Sequence, residues 1–407
     1  MVGQCAKPAE VLVAIGFAEA LSAPEVLWSL IDAGFKVIAF SRRGHRAAIR
    51  HSRHVTIHEI TPPEQDWAAA LSDVAGVLAR VRQSGNRCHV LLPLDDSAVW
   101  MCSRVLPRTG WILAGPGGVC ADLALDKWKQ IEMAAAAGFN VPATLLASTS
   151  EELSNCTTGF PVILRPSSAS PLAGGRLRKG RNWICANEAE LALARAAWNG
   201  SPPLLVQPFL EGTGEGVFGL ATENGVVAWS AHRRLRMMNP HGSGSSACIS
   251  AAVPESLKAS VTAFVSSCGW RGMFMVELLR TDDGRPWFIE FNGRAWGSMA
   301  LSRRQSLEYP AWTVKLALDP EVRCTYSANK KEGIVCRHVG REFMHLFFVL
   351  RGSHSEAIRR WPTPWETLAR LLRPHRRSSF YNWRSEDWRV FVSDCWNTIC
   401  DQLVKTN

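Results

Sequence analysis

Four residues with the chemistry of a metal and phosphate site stand close together in this 407-residue chain: Glu277, Glu290, Asn292 and Arg294. Apolar, strand-like runs flank Asp283-Gly284, a dipeptide typical of a two-residue hairpin turn. With that turn, Asp282 pairs with Arg285, and Glu277 then lies directly opposite Glu290. The spacing therefore predicts a pair of facing carboxylates on two neighbouring strands.

The chemistry of this group is that of an oxygen-rich cation site. Facing carboxylates repel each other when no cation lies between them. Asn292 projects from the same face as Glu290, because side chains alternate along a strand. Two carboxylates and an amide suit Mg²⁺, and Arg294 adds a fixed positive charge for phosphate oxygens. We predict a site for metal-bound polyphosphate; the alternative is an exposed hairpin with solvated acids, since one bulged residue would change the register.

Composition sets limits on the protein class. The length fits two or three domains, and 47% hydrophobic with 20% charged residues is ordinary for a globular protein. The net charge of +10 suits polyphosphate, nucleic acid or anionic membranes equally. Basic residues are dispersed, with no dense run beyond Arg373 to Arg377, so we expect no nucleic-acid partner. No apolar stretch approaches the length of a membrane span, so we expect no membrane partner.

The 12 cysteines form neither CxxC pairs nor zinc spacings, which predicts reduced thiols in the cytoplasm.

The first part of the chain alternates between strands and helices. The predicted strands are Val11–Phe17, Lys36–Phe40 and His89–Leu94, and the predicted helix is Pro24–Ala33. This alternation indicates a parallel sheet. A lone Gly16 does not make a dinucleotide fingerprint, which needs three glycines.

The predicted hairpin resembles the ATP-grasp superfamily, whose signature is an acid on one strand and Glu-x-Asn-x-Arg on the next. In this chain the acid is Glu277, and the second part is Glu290-Phe291-Asn292-Gly293-Arg294. The similarity is greatest to its carboxylate–amine ligases and to the large chain of carbamoyl-phosphate synthetase, because Trp296-Gly297-Ser298 follows. The resemblance implies an α/β fold of the α+β ATP-grasp kind. It implies three parts: a parallel-sheet pre-ATP-grasp domain at 1–120, an ATP-grasp domain at 121–320 with lobes 121–203 and 204–320, and a mostly helical extension at 321–407.

Two basic residues of the first lobe are implied nucleotide contacts. Lys127 stands in an Asp-Lys pair near the start of a predicted helix, Leu125–Gly138, where relatives place a phosphate-contacting lysine; alone it would be a solvated helix lysine. Arg165 stands where relatives carry a lysine. The small residues of 167–175 would let backbone N–H groups approach phosphates. Arg176, Arg178 and Lys179 add charge or form a solvated loop.

The hinge between the lobes is the implied adenosine site. Leu210 and Glu211 would lie beside the base, and Glu215 would hold the ribose hydroxyls, since a carboxylate accepts both hydrogen bonds. The resemblance also places Gln207 among the nucleotide contacts. Pro208 stands where many relatives have an acid.

A basic stretch, His232-Arg233-Arg234, lies on the return strand after Asn224-Gly225, another hairpin signal. A two-residue turn there places Arg234 opposite Glu215. Basic side chains near the γ-phosphate would stabilise charge during transfer. The resemblance makes Arg234 a catalytic residue and His232 a nucleotide contact; the alternative is a strand with solvated charges.

The resulting prediction is an ATP- and Mg²⁺-dependent carboxylate–amine ligase, with Mn²⁺ as an alternative metal. A substrate carboxylate would be activated as an acyl phosphate, and an amine would displace phosphate to form an amide, with Arg294 as a catalytic residue. Two alternatives stay open: a kinase or carboxylase of the same superfamily, and a nucleotide-binding regulator. A homodimer also stays open, and the sequence does not name the small-molecule acid or amine.

The tail carries five tryptophans that we expect to pack a core rather than to bind ligands: Trp361, Trp365, Trp383, Trp388 and Trp396. We expect substrate specificity to lie in the first domain, in the Gly242–Ser246 loop and in this tail.

Overall fold

The computed structural model describes residues 7–83, 85, 88–105, 109–155, 159–178, 180–198, 200–242, 244–322, 332–353 and 355–406. Its N-terminal part is a five-stranded parallel sheet with the strand order β3-β2-β1-β4-β5. The elements are β1 (Val11–Gly16), α1 (Ala23–Asp32), β2 (Lys36–Arg42), β3 (Val55–Ile60), α2 (Trp67–Arg82), β4 (Cys88–Pro93), α3 (Asp96–Val105) and β5 (Ile112–Leu113).

The parallel sheet forms because its central strand is apolar on both faces. Every residue of β1 is buried, and β1 pairs with β2 on one side and β4 on the other. A strand covered on both faces reads as a continuous apolar run rather than an alternating one. Because β4 ends at Pro93, the polar residues Asp95 and Asp96 emerge at the carboxyl edge of the sheet.

The next part of the chain contains a four-stranded antiparallel sheet with the order β10-β7-β11-β6. The predicted helix Leu125–Gly138 is wrong at its start, because Asp126 separates two helices and caps the second by accepting a hydrogen bond from the Lys129 N–H. The elements are α4 (Gly118–Leu125), α5 (Lys127–Ala136), β6 (Leu145–Ala147), α6 (Ser150–Ser154), β7 (Val162–Pro166), β8 (Leu172–Ala173), β9 (Arg176–Leu177), β10 (Trp183–Cys185), α7 (Glu188–Ala197) and β11 (Leu204–Pro208).

The remainder is built on a seven-stranded sheet with the order β16-β15-β12-β13-β14-β17-β18. The last two strands come from the C-terminal segment, which is mostly helical as predicted but also extends the sheet. The elements are β12 (Thr213–Thr222), β13 (Gly225–Met237), β14 (Ser245–Ala251), α8 (Glu255–Ser267), β15 (Gly272–Arg280), β16 (Pro286–Asn292), α9 (Met299–Arg303), α10 (Tyr309–Leu318), β17 (Val335–Arg337), α11 (Val339–Arg351), α12 (Pro364–Leu372), β18 (Ser378–Phe380) and α13 (Trp388–Thr406).

The α/β fold with a parallel N-terminal sheet, antiparallel sheets and a helical C-terminal part confirms the predicted fold class. The exact limits of the three predicted parts remain predictions. Among the described helices, none combines the length and the apolar character needed to cross a bilayer.

The prediction that the tail tryptophans pack a core is wrong for four of them. Trp365, Trp396, Trp388 and Trp383 are 81%, 63%, 51% and 42% exposed. Trp361 is half-buried, and its ring contacts that of His241. For Trp365, Trp388 and Trp396 the prediction fails because α12 and α13 lie on the surface of the molecule rather than between layers.

Candidate active site

The hairpin of β15 and β16 places the two predicted acids opposite each other. Glu277 pairs with Glu290, which confirms the predicted pairing. The register near the turn differs from the prediction, because Arg280 lies opposite Pro286, one residue away from the expected pairing. Ile289 then forms a bulge that restores it. Asn292 lies on the same face as Glu290 and donates from Nδ2 to its Oε1 at 3.1 Å.

Two cations from outside the hairpin reach the Glu290 carboxylate. Lys127 Nζ lies 3.1 Å and Arg165 Nη2 lies 3.2 Å from Glu290 Oε2. Burial alone would raise the pKa of Glu290, but the charges of Lys127 and Arg165 reverse that effect and hold it well below its usual value. Glu290 is therefore an anion between two cations across the physiological pH range.

Further hydrogen bonds hold α5 beside the hairpin. The Lys127 N–H donates to the Ser167 carbonyl at 2.8 Å, so the small-residue loop lies beside the start of α5. Gln130, which is buried, accepts from the Phe291 N–H and donates to the Phe291 carbonyl at 2.9 and 3.1 Å. One side chain of α5 thus holds the backbone of β16 next to Glu290.

The pairing of β12 with β13 corrects the predicted position of Arg234. Glu215 lies opposite Arg233, not Arg234. The turn occupies Glu223-Asn224, one residue earlier than predicted, and an irregularity beside Leu220 shifts the register only partly back. Since neighbouring side chains alternate, Arg234 faces the same side as Glu277, and its Nη2 donates to Glu277 Oε1 at 2.6 Å.

His232 lies on the same face of the sheet and is 3% exposed. Its Nδ1 is 2.9 Å from Ser298 Oγ, and its Nε2 has no hydrogen-bond partner among the described residues. Burial, helped by the Arg234 charge, lowers the pKa of His232 to about 3. His232 is therefore neutral near pH 7 and does not supply the positive charge expected of a phosphate-binding cation.

Arg294 connects the hairpin to the N-terminal sheet. Its guanidinium donates to both oxygens of Asp96, at 2.6 and 3.2 Å. Burial would lower the pKa of Arg294, but the Asp96 carboxylate raises it above its usual value. Nearby, Arg42 forms ion pairs with Glu19, Glu64 and Asp95.

One cavity of about 470 Å³ lies between the N-terminal sheet, the seven-stranded sheet and the start of α11, and Lys127 and Arg165 are not among its lining residues. Arg341 adds a further guanidinium, which donates to the Ser245 carbonyl at 3.1 Å. Burial lowers the pKa of Arg341 from its usual value. The residues that define the cavity chemically are Arg42, Glu64, Asp95, Asp96, His232, Arg234, Glu277, Glu290, Asn292, Arg294, Ser298 and Arg341.

The predicted adenosine contacts do not line this cavity. Gln207 is buried and donates to Thr144 Oγ1 at 2.9 Å. Leu210 and Glu211 are half-buried after β11, and Glu211 accepts a hydrogen bond from the Arg359 N–H of the tail. Glu215 forms a two-point ion pair with Arg280 at 2.8 and 2.9 Å, on the opposite face of the sheet from Glu277. Lys179 lies outside the described residues.

Several cavity residues escape sequence reasoning. Asp95 and Asp96 had a usable signal, because they follow a strand of a parallel sheet at its carboxyl end, where such sheets bind ligands. Arg42 carries the same signal at the end of β2. Arg341 has none, since nothing local ties the start of α11 to Glu277 and Glu290, which precede it by 64 and 51 positions.

A larger cavity, of about 760 Å³, lies between residues 44–51 and α13. Its lining includes Arg46, Arg50, Trp388 and Trp396, with Glu59 as its one carboxylate. The smaller cavity is the stronger candidate for chemistry, because only there do facing carboxylates, an amide and several cations converge.

The donor set fits a hard divalent cation. Glu277, Glu290 and Asn292 offer carboxylate and amide oxygens. Among the described residues no group of three His, Cys, Asp or Glu side chains is placed to hold a metal. The remaining ligands would therefore come from water and from substrate oxygens, which is how Mg²⁺ is usually bound beside phosphates.

Comparison with known proteins gives a distant sequence match and several structural ones. No family model matches the chain. The uncharacterized protein y4rH of Sinorhizobium fredii is 29% identical over 139 residues, which are 31% of this chain and 29% of that relative's length.

Three solved structures show the fold. The L-amino acid ligase from Bacillus licheniformis matches with a TM-score of 0.60 and 16% identity, over 82% of this chain and 79% of that one. A second match is the biotin carboxylase domain of Hydrogenobacter thermophilus 2-oxoglutarate carboxylase, in complex with MgADP, ADP and bicarbonate. Its TM-score is 0.61 and its sequence identity is 17%, over 82% of this chain and 74% of that one. The N5-carboxyaminoimidazole synthetase from Staphylococcus aureus matches with a TM-score of 0.57 and 15% identity, over 80% of this chain and 81% of that one. All three are ATP-grasp proteins, and this chain has the ATP-grasp fold.

Proposed function

We propose that this protein is an ATP-dependent carboxylate–amine ligase. The observation that supports this most is that Glu277, Glu290, Asn292 and Arg234 line one cavity, and that Lys127 and Arg165 contact the carboxylate of Glu290. Facing carboxylates that are held apart by cations form a site whose charges can be redistributed when a polyphosphate and a metal enter.

The proposed reaction has two steps. A substrate carboxylate oxygen attacks the γ-phosphorus of ATP, the bond to the β-phosphate oxygen breaks, and ADP leaves. The amine nitrogen then attacks the acyl carbon, the bond from that carbon to the phosphate oxygen breaks, and phosphate leaves as the nitrogen loses a proton. The residues align the reactants and neutralise charge, and no covalent intermediate with the protein is needed.

Each cation has a proposed role that follows from its position. Lys127 and Arg165 contact Glu290 in this structure, and both would turn to phosphate oxygens when a metal takes their place on the carboxylate. Arg234 would do the same from Glu277, opposite them. Arg294, held by Asp96 at the cavity wall, would hold the transferred phosphoryl group and the acyl phosphate.

Glu277, Glu290 and Asn292 would hold Mg²⁺, or Mn²⁺ in its place. When bound, this ion would supply positive charge against the phosphate oxygens.

The pair His232 and Ser298 is proposed to contact the reacting group without adding charge. When Ser298 donates to Nδ1, the ring proton lies on Nε2, which makes it a neutral hydrogen-bond donor. A buried donor without a partner costs roughly 1–3 kcal/mol, and an oxygen of the acyl phosphate would satisfy it.

The adenosine contacts remain proposals at the positions that the resemblance gives. Leu210 and Glu211 would lie beside the base, with Gln207 behind them. Glu215 would have to exchange its ion pair with Arg280 for the ribose hydroxyls, so nucleotide binding should change the surroundings of Arg280.

We also propose that the reaction takes place in the cytoplasm. Nine cysteines belong to the part of the chain that the structure describes, and each of them is a free thiol. Free thiols in this number are typical of a reducing compartment.

The test is an ADP-release screen against pairs of amino acids and small carboxylates, followed by mass measurement of the products. Amino acids come first because of the name of the Bacillus licheniformis ligase. We expect one pair to give ADP, phosphate and a product lighter by one water than the two substrates together. ADP with a phosphorylated product and no amide would instead indicate a kinase. ATP binding without turnover for any pair would indicate a regulator.

A further inference from the structure

Helix α12 presents its apolar face to solvent. Trp365, Leu368 and Leu372 are 81%, 39% and 74% exposed. Their spacing of three and four residues places them on one side of the helix. The opposite side faces the protein through Thr367, the one fully buried residue of α12. An amphipathic helix normally buries its apolar side, so this reversed orientation marks a surface that contacts something else.

The orientation is fixed at both ends of the helix. Before α12, Trp361 Nε1 donates to the Val349 carbonyl at 3.2 Å. At its end, Arg337 Nη2 donates to the Leu371 carbonyl at 2.7 Å. Helix α11 packs beside α12 and adds its own exposed stripe, with Phe343 at 57% and Leu350 at 65%. Both of these neighbouring helices thus expose apolar side chains.

Positive charge surrounds this surface. Residues 355–377 contain six arginines and two glutamates, a net charge of +4. Arg370, Arg373 and Arg376 are exposed and have no acidic partner among the described residues. A helix with Trp and Leu on one face and arginines at its border is typical of a segment that lies in the interface of a bilayer.

We propose that α12, with the exposed stripe of α11, docks on an anionic lipid bilayer. The apolar side chains would enter the headgroup region, and the arginines would contact lipid phosphates and carboxylates. A second copy of the chain is a poorer occupant, because a symmetric contact would bring two segments of charge +4 together. No residue of α12 lines the candidate active-site cavity or the larger cavity beside α13.

The sequence-based expectation of no membrane partner rests on the lack of a spanning segment, a criterion that does not apply to a helix lying on the surface. The docking proposal does not depend on the proposed ligase reaction, because α12 contributes nothing to the catalytic cavity.

The test is flotation of the full-length protein with two kinds of vesicle: phosphatidylcholine alone, and phosphatidylcholine with phosphatidylserine. We expect binding to the phosphatidylserine vesicles only, weakened by salt. Arg373→Gln should weaken binding about fivefold, the usual contribution of one basic residue near an anionic surface. The double variant Trp365→Ala/Leu372→Ala should weaken it by on the order of tenfold or more, because each lost methylene counts in the interface.

Trp396→Ala is the matched control, since it removes an exposed tryptophan from α13 and should bind vesicles like the wild type. Equal melting temperatures of all variants would exclude unfolding as the cause. The proposal is overturned if neither vesicle is bound or if the double variant floats like the wild type. It is also overturned if light scattering shows a dimer or a complex with an acidic protein that depends on Trp365 while no vesicle is bound.

Discussion

Glu290→Gln is expected to separate the metal role of Glu290 from its structural role. In this structure Glu290 neutralises Lys127 and Arg165, whose side chains are 18% and 10% exposed. The amide keeps the shape of the side chain but removes its charge. Two cations then face each other without an anion, and the metal loses one carboxylate ligand.

The size of the structural effect follows from the distances. At 3.1 and 3.2 Å, each ion pair has a gross Coulomb energy of about 5 kcal/mol at an effective dielectric constant near 20. Desolvation offsets much of this energy, and removing one partner of a buried pair usually costs about 3–5 kcal/mol. Because water still reaches these side chains, we expect a loss of about 2–3 kcal/mol in the free energy of unfolding, or roughly 2–4 °C in melting temperature for a chain of this length.

Glu290→Gln lowers the stability of the protein, but it should not lower the affinity for ATP in the absence of metal. Lys127 and Arg165 no longer need to leave a carboxylate to contact phosphates, so metal-free ATP should bind at least as well as to the wild type. Mg²⁺ should no longer strengthen binding, and turnover should be lost. ATP at a hundredfold excess over its Kd adds about 2.7 kcal/mol, enough to restore most of the lost stability.

The assays are thermal unfolding and isothermal titration with ATP, each with and without Mg²⁺. Glu342→Gln is the matched control, because Glu342 is also a buried acid between two arginines, Arg236 and Arg337, at 2.6 Å each. It should lower the melting temperature without changing the metal dependence. If Glu290→Gln keeps its melting temperature and an unchanged Mg²⁺ dependence, both the ion-pair argument and the metal assignment are refuted.

Three further predictions concern the cavity. Arg294→Ala should bind ATP but lose turnover by roughly 10²-fold or more, the scale of one lost electrostatic donor; an equal loss of ATP affinity, measured by titration, would make Arg294 a binding residue only. Arg165→Lys should retain substantial activity while Arg165→Ala raises the KM for ATP, and a KM that does not move in the alanine variant would leave Arg165 with a purely structural role. Burial lowers the pKa of His232 to about 3, so its NMR signals should not titrate near neutral pH. Since the unfolded chain takes up that proton first, the stability contribution of His232 falls as the pH decreases from about 6.5 towards 3; a titration of His232 near pH 6.5 would contradict this.

The sequence by itself determined the local features of this protein. The alternation of strands and helices in the first part of the chain predicted a parallel sheet, because parallel neighbours need a crossover connection between them. The pairing of Glu277 with Glu290 was also predicted correctly, although the turn and the bulge at Ile289 each shift the register and their effects cancel. In β12 and β13 the corresponding shifts do not cancel, so Arg233 rather than Arg234 lies opposite Glu215. A register depends on every residue between the turn and the site, and short-range signals do not locate a bulge.

Only the tertiary structure decided which charges meet. Arg294 contacts Asp96 from 198 positions away, and Arg165 contacts Glu290 across 125 positions. These pairs form because the tertiary structure brings three different sheets close to Glu290 and Arg294. The outward orientation of Trp365 has the same origin. An amphipathic pattern predicts a helix, but the neighbours that decide which face is buried come from distant parts of the chain. Periodicity is a property of adjacent residues, whereas burial and charge pairing belong to the assembled molecule.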